Sequence, residues 1–172
     1  MTAAGRKASE KKAPISVGVA LLPPDGWREE SSFVQSVGEI WSPLGELHLR
    51  AMRLGDDPGE LAKTIRRWAD REGVNVLCTV GRSGHRPEDF APDATRKLLH
   101  RSLPGIEERM YLSSPRRPED LLFRGAAGLR GEAVVINFPA RSGRARSILR
   151  FLAPVLRHAL EKAAGDESEC AR

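Results

Sequence analysis

Residues 74–95 read VNVLCTVGRSGHRPEDFAPDAT. The first seven, VNVLCTV, are an apolar, β-rich run between Gly73 and Gly81, the pattern of a buried strand. Gly81, Arg82, Ser83 and Gly84 follow, then His85, Arg86, Glu88 and Asp89, before a helix opens near Pro92 or Asp93 and runs to about His100. A buried strand that turns through glycines into a helix is one unit of an open α/β sheet. In such sheets ligands bind beyond the carboxyl ends of the strands.

The rest of the chain repeats this alternation. ISVGVALL (15–22), LHLRAMRL (47–54) and EAVVINFP (132–139) read as further strands. Between the first two, Phe33, Val34, Val37, Ile40 and Trp41 recur at helical spacing behind Ser31 and Ser32, and Pro43 and Gly45 stop the run. Asp56, Asp57 and Pro58 open a second helix, with Leu61, Ala62, Ile65, Trp68 and Ala69 on one face and Gly73 at its end. Further helices are expected over 104–112 and 146–164, the last bent at Pro154. The order β-α-β-α-β-loop-α-α-β-α predicts an α/β fold: a three-layer sandwich whose mostly parallel sheet is flanked by helices on both faces. One domain is expected over 14–164, after a disordered basic lead (1–13) and before a flexible tail (165–172).

Bulk properties narrow the partners. Twenty-eight Lys and Arg against 23 Asp and Glu give a net charge of +5, which favours anionic partners. Aromatic residues are 5% of the chain, too few for a stacking platform for single-stranded nucleic acid, and no nucleic-acid recognition motif is present. Cys78 and Cys170 suggest neither a disulfide framework nor a zinc site, which fits a reducing cytoplasm. No run approaches the ~20 apolar residues that span a bilayer, so no membrane partner is expected.

Two loops carry candidate chemistry. At Gly81–Gly84 a sharp backbone turn can aim amide N–H groups at an oxyanion, and Arg82 and Ser83 add phosphate donors. Asp89 follows closely, and Asp56 and Asp57 end another strand. Carboxylates beside a phosphate site make sense if a Mg²⁺ ion lies between them and the phosphates. Asp93 reads as a helix-start acid. The second loop, NFPARSGRARS (137–147), places Asn137 and Pro139 at a strand end, and Arg141, Ser142, Arg144 and Arg146 before a helix N-terminus suited to anions. A solvated basic turn is the alternative.

Residues 74–164 resemble the MoaB/Mog domain of molybdenum-cofactor biosynthesis. The family pattern T-x-G-G-T-G, a short spacer and D-x-T-P-[DE]-A-T stands here as TVGRSGHRPEDFAPDAT (79–95). LPGIEERM (103–110), FRGAAG (123–128), NFPA (137–140) and DDP (56–58) match further family motifs. The resemblance implies a homotrimer or higher homo-oligomer that binds molybdopterin. In the enzymes of the family, Mg²⁺ and ATP are used to attach AMP to the pterin's terminal phosphate, a nucleotidyltransferase reaction. It assigns Gly81 and Gly84 to the glycine loop, Asp89 to the essential aspartate, Asp57 or Asp56 to the second aspartate, with Asp89 and Asp57 as the expected metal ligands, and Asn137 and Pro139 to the other binding loop. A silent relative that carries pterin or nucleotide, or only binds protein, is the alternative. The chain departs from the pattern at Arg82, Ser83, Ala91, Phe123 and Ala140, and residues 23–46 match nothing in it.

Overall fold

The structure is a computed structural model, and it describes residues 14–23, 30–113 and 117–163. The expected lead and tail lie outside the described residues. Six strands, β1 (Ile15–Leu21), β2 (Leu47–Arg53), β3 (Val76–Val80), β4 (Arg101–Ser102), β5 (Ala127–Arg130) and β6 (Ala133–Phe138), form a sheet in the order β2-β1-β3-β6-β5-β4. The helices are α1 (Glu30–Trp41), α2 (Pro58–Asp70), α3 (Ala91–Arg96), α4 (Pro104–Leu112) and α5 (Ser142–Ala163), with 3₁₀ turns at Ser42–Leu44 and Pro118–Leu122.

The three-layer α/β fold expected from the sequence is the one observed. Period-two side-chain placement splits the core into two halves. Ile15, Val17, Val19 and Leu21 of β1, Val76, Cys78 and Val80 of β3, and Val134, Ile136 and Phe138 of β6 pack with residues of α1, α4 and α5. Ala20, Leu77 and Val135 face the other way, against Leu61, Ile65 and Trp68 of α2 and Ala91 of α3. Gly18 is where α2 comes closest: a Cβ there would lie 2.5 Å from the Trp68 ring.

Three local differences from the sequence reading bear on the site. β4 and β5 were not expected, because AGLR and RS lack a β-branched pattern; β5 exists through antiparallel pairing with β6 across a two-residue turn where Gly131 takes φ +57°. α1 begins at Glu30, so Ser31 and Ser32 lie within its first turn instead of ahead of it. α5 begins at Ser142 and not at 146, so most of the expected second loop is helical, and the helix continues through Pro154. Strand register then sets the stage: Val80 is level with Phe138, and Leu21 with both Val80 and Arg53. The carboxyl ends of β2, β1, β3 and β6 therefore share one edge.

Candidate functional site

At that edge the loop after β3 and the segment after β6 enclose a cavity of about 370 Å³. Its walls are Gly81, Arg82, Ser83, Gly84, His85, Arg86, Glu88 and Asp89 on one side and Pro139, Ala140, Arg141 and Arg144 on the other. Glu119, Asp120, Leu122 and Phe123 close it from the 3₁₀ turn. The glycine turn, Asp89 and the segment after Asn137 thus lie around one cavity.

The loop is held in shape largely by its own backbone and by one arginine. Gly81 adopts φ +97° and donates its N–H to the Phe138 carbonyl at 3.1 Å, so the turn begins by clipping β3 to β6. The Ser83 hydroxyl reaches the same carbonyl at 3.3 Å. Asp89 folds back, and its Oδ2 accepts the Arg86 N–H at 2.9 Å. That return path needs Gly84, since a Cβ there would sit 2.6 Å from Asp89 Oδ2. Arg124 spans the loop from outside, donating to the Gly84 and Asp89 carbonyls at 2.8 Å each and to Asp93 Oδ2 at 2.8 Å.

The predicted site residues fall into two groups. Gly81, Arg82, Ser83, Gly84, Asp89, Pro139 and Arg141 line the cavity; Asp56, Asp57, Asn137 and Ser142 do not. Asn137 is fully buried and spends its amide inside the fold. Its Nδ2 donates to the Thr79 and Thr95 hydroxyls at 2.6 and 2.9 Å, and its Oδ1 accepts the Ala126 N–H at 3.0 Å. It joins β3, β6 and α3 beneath the site and presents no free group to a ligand. Asp57 is the N-cap of α2, accepting the Gly59 N–H at 2.8 Å. Asp56 is clasped by Arg82 through two parallel hydrogen bonds of 2.9 and 2.6 Å. Arg82 thus turns away from the oxyanion role and sits in left-handed backbone at φ +46°, with its side chain 8% exposed. Ser142 opens α5.

These positions bear on a metal. Among the described residues no group of three or more His, Cys, Asp or Glu side chains converges to hold one. Asp89 alone of the three aspartates faces the cavity. One carboxylate completed by substrate phosphates is a donor set that Mg²⁺ accepts, so Asp89 fits the ion, while Asp56 and Asp57 are committed elsewhere.

Four further residues shape the cavity, and one of them, Asp120, carries no local signal in the sequence. Phe123 lies under the Arg144 guanidinium, 4.7 Å from ring centroid to Cζ, and edge-on to Tyr111. The ring also folds over Gly125, where a Cβ would lie 2.4 Å from it. Phe123, one of the departures from the family pattern, therefore gives the cavity an apolar wall. Asp120 is buried between Arg141, at 2.9 Å, and Arg144. Arg144 also donates to the Asp120 and Met110 carbonyls. Burial pulls its pKa below the usual arginine range, and Asp120 acts against that shift. Arg124, within FRGAAG, and Arg144, within the basic loop 137–147, were legible in the sequence; Asp120, in an otherwise plain segment, was not.

Residues 15–158 match the family described as "Probable molybdopterin binding domain". The chain belongs to that family. The solved structure of the molybdopterin biosynthesis enzyme MoaB from Thermus thermophilus is 34% identical, covers 88% of this chain and 98% of its own, and superposes with a TM-score of 0.76. The molybdopterin adenylyltransferase of Helicobacter pylori J99 is 26% identical over 124 residues, 72% of this chain and 70% of that protein. The molybdenum cofactor synthesis protein cinnamon of Drosophila melanogaster is 28% identical over 160 residues. That alignment takes in 90% of this chain and 26% of the fly protein, so the chain spans about a quarter of that relative's length. Membership of the molybdopterin-binding family places this chain among proteins of molybdenum-cofactor biosynthesis.

Proposed function

We propose that this protein binds molybdopterin and transfers AMP from MgATP to the pterin's terminal phosphate. The observation that carries the reading is the single cavity walled by the Gly81–Gly84 turn, Asp89 and Pro139–Arg141. In the proposed reaction an oxygen of the pterin phosphate attacks the α-phosphorus of ATP, and the bond to the bridging oxygen of the β-phosphate breaks, releasing pyrophosphate. Such a phosphate is already largely deprotonated at neutral pH, so a general base has little to do. Catalysis rests on positioning and on neutralising charge. The turn offers backbone N–H groups to a phosphate, and Arg124 keeps that turn rigid by holding both of its carbonyl anchors. Phe123, Leu122 and Pro139 supply an apolar wall for a ring. Mg²⁺, held by Asp89 and the substrate phosphates, would supply further charge neutralisation when bound.

We also expect a homotrimer or higher oligomer in the cytoplasm. Leu112 and Leu121 are 60% and 69% exposed, apolar surface that a subunit interface would cover. No helix among the described residues is long and apolar enough to cross a membrane.

Incubation of purified protein with molybdopterin, ATP and Mg²⁺ should yield adenylylated pterin and pyrophosphate, resolved by chromatography, and Asp89→Asn should lose both. Undiminished product from Asp89→Asn would remove the metal-holding role. One observation favours a second reading, a silent pterin carrier: Arg82 stands where the family has glycine and neutralises Asp56. Pterin binding without turnover would select it.

A further inference from the structure

A second cavity, of about 350 Å³, adjoins the first. The two share Asp120, Arg141 and Arg144, so this cluster, with Asp120 and Arg144 buried and Arg141 exposed, is the partition between them. Beyond it the walls are Gly143, Arg146, Ser147 and Arg150, all from the first turns of α5. The two compartments differ in charge. In the first, Arg82, Arg86, Arg141 and Arg144 are matched by Glu88, Asp89, Glu119 and Asp120. In the second, among the described lining residues, four arginines face the one carboxylate of Asp120. Among the described residues the second compartment also has no aromatic or aliphatic wall on which a ring could lie.

The arginines there are unevenly committed. Arg146 is braced by Glu39 and the Ser36 hydroxyl, each at 2.8 Å. Arg150 is exposed, and its only described interaction is the charge field of Glu39. Arg144, with its side chain 4% exposed, has an Nε that finds no hydrogen-bond partner among the described residues. A buried guanidinium with an unmet donor is costly unless an anion or water completes it. The N-terminus of α5 adds its dipole in the same direction.

We infer that this second compartment is a polyphosphate site, which receives the triphosphate tail of the nucleotide while the glycine turn and apolar wall of the first compartment receive ring and monophosphate groups. The inference rests on the nucleotide-transfer reading above and adds to it a place for the leaving pyrophosphate. A cavity of the first compartment's size suits one drug-sized ligand, so two substrates need the adjoining space. Arg150 is then a specificity-determining residue for the length of the phosphate chain, and the Asp120–Arg141–Arg144 partition marks where the two substrates meet.

Titration calorimetry with inorganic triphosphate, ATP and AMP tests this on the full chain. Arg150→Ala should weaken triphosphate and ATP about tenfold, the effect of losing one charged phosphate contact. AMP and molybdopterin affinities should stay unchanged, and Arg150→Lys should recover most of the loss. Thermal melting should not move, because the side chain is exposed and braces nothing described. Raising salt should weaken triphosphate more than AMP. An Arg150→Ala protein that binds triphosphate as tightly as the parent overturns the inference. So does one that loses AMP and triphosphate equally, or triphosphate that displaces molybdopterin instead of binding beside it. Selective loss of triphosphate binding in a protein that transfers no AMP would keep the compartment and remove the transfer reading. Unchanged ATP binding in a protein that does transfer AMP would do the reverse.

Discussion

The loop after β3 and the segment after β6 face each other across one cavity, yet they are built differently. Residues 81–90 are irregular. Their shape comes from backbone hydrogen bonds, two glycines and the Arg124 clasp, and their charges are mixed. Residues 139–150 enter a helix almost at once, and their contribution is a row of arginines on its first turns. The first is a cradle, shaped before a ligand arrives. The second is a field of positive charge in which Arg144 and Arg146 are braced and the exposed Arg150 can adjust. For the two phosphorylated substrates proposed above the division makes sense: one must be held in a fixed direction, and the other must chiefly be neutralised.

The strongest way to break this arrangement is at the joint beneath it. Asn137→Ala leaves the Thr79 and Thr95 hydroxyls and the Ala126 N–H without partners in a dry interior. It should cost roughly 3 kcal/mol of folding free energy, measured by urea denaturation. If instead stability holds and only ligand binding falls, Asn137 acts in the site and not beneath it.

The next test acts on the cradle alone. Asp89→Asn can still accept the Arg86 N–H but cannot hold a divalent cation as well. AMP transfer should fall by about 100-fold, or about 2.7 kcal/mol of barrier, with thermal melting nearly unchanged. Gly84→Ala sharpens the same point, because its Cβ must displace the Asp89 carboxylate. A loss of about tenfold in AMP transfer is expected, checked by kcat/KM with ATP varied. The smallest effect is expected at Arg82. Arg82→Gly relieves a positive φ, worth about 1 kcal/mol, and removes an ion pair to the largely exposed Asp56, also worth about 1 kcal/mol or less. Net stability in chemical denaturation should therefore change little. ATP affinity should rise if the freed Asp56 then joins Asp89 around a metal.

Much of the fold could be read before any coordinates. Short apolar, β-rich runs marked β1, β3 and β6, and Pro58 and Gly73 bracketed α2, because strand composition, helix periodicity and capping act over a few neighbouring residues. β5 escaped because AGLR has little preference of its own; it is a strand only because β6 lies beside it. The site was legible in outline for the same local reason. Paired glycines after a buried strand are visible in sequence, and the 79–95 motif located them within a known family pattern. The individual roles were less legible. Asp56, Asp57 and Asp89 are equivalent carboxylates on paper, and Asn137 could as well have pointed at a ligand as at Thr79.

The amino-acid sequence alone determined the layered α/β architecture, the position of the glycine turn and the molybdopterin-binding family, since each depends on residue types at short, regular spacing. Only the tertiary structure decided which carboxylate stays open to the cavity, that Arg82 is tied to Asp56 across 26 positions, and that Asp120 divides the basic compartment from the mixed one. Those outcomes follow from strand register and helix packing, which bring together side chains that no local rule can pair.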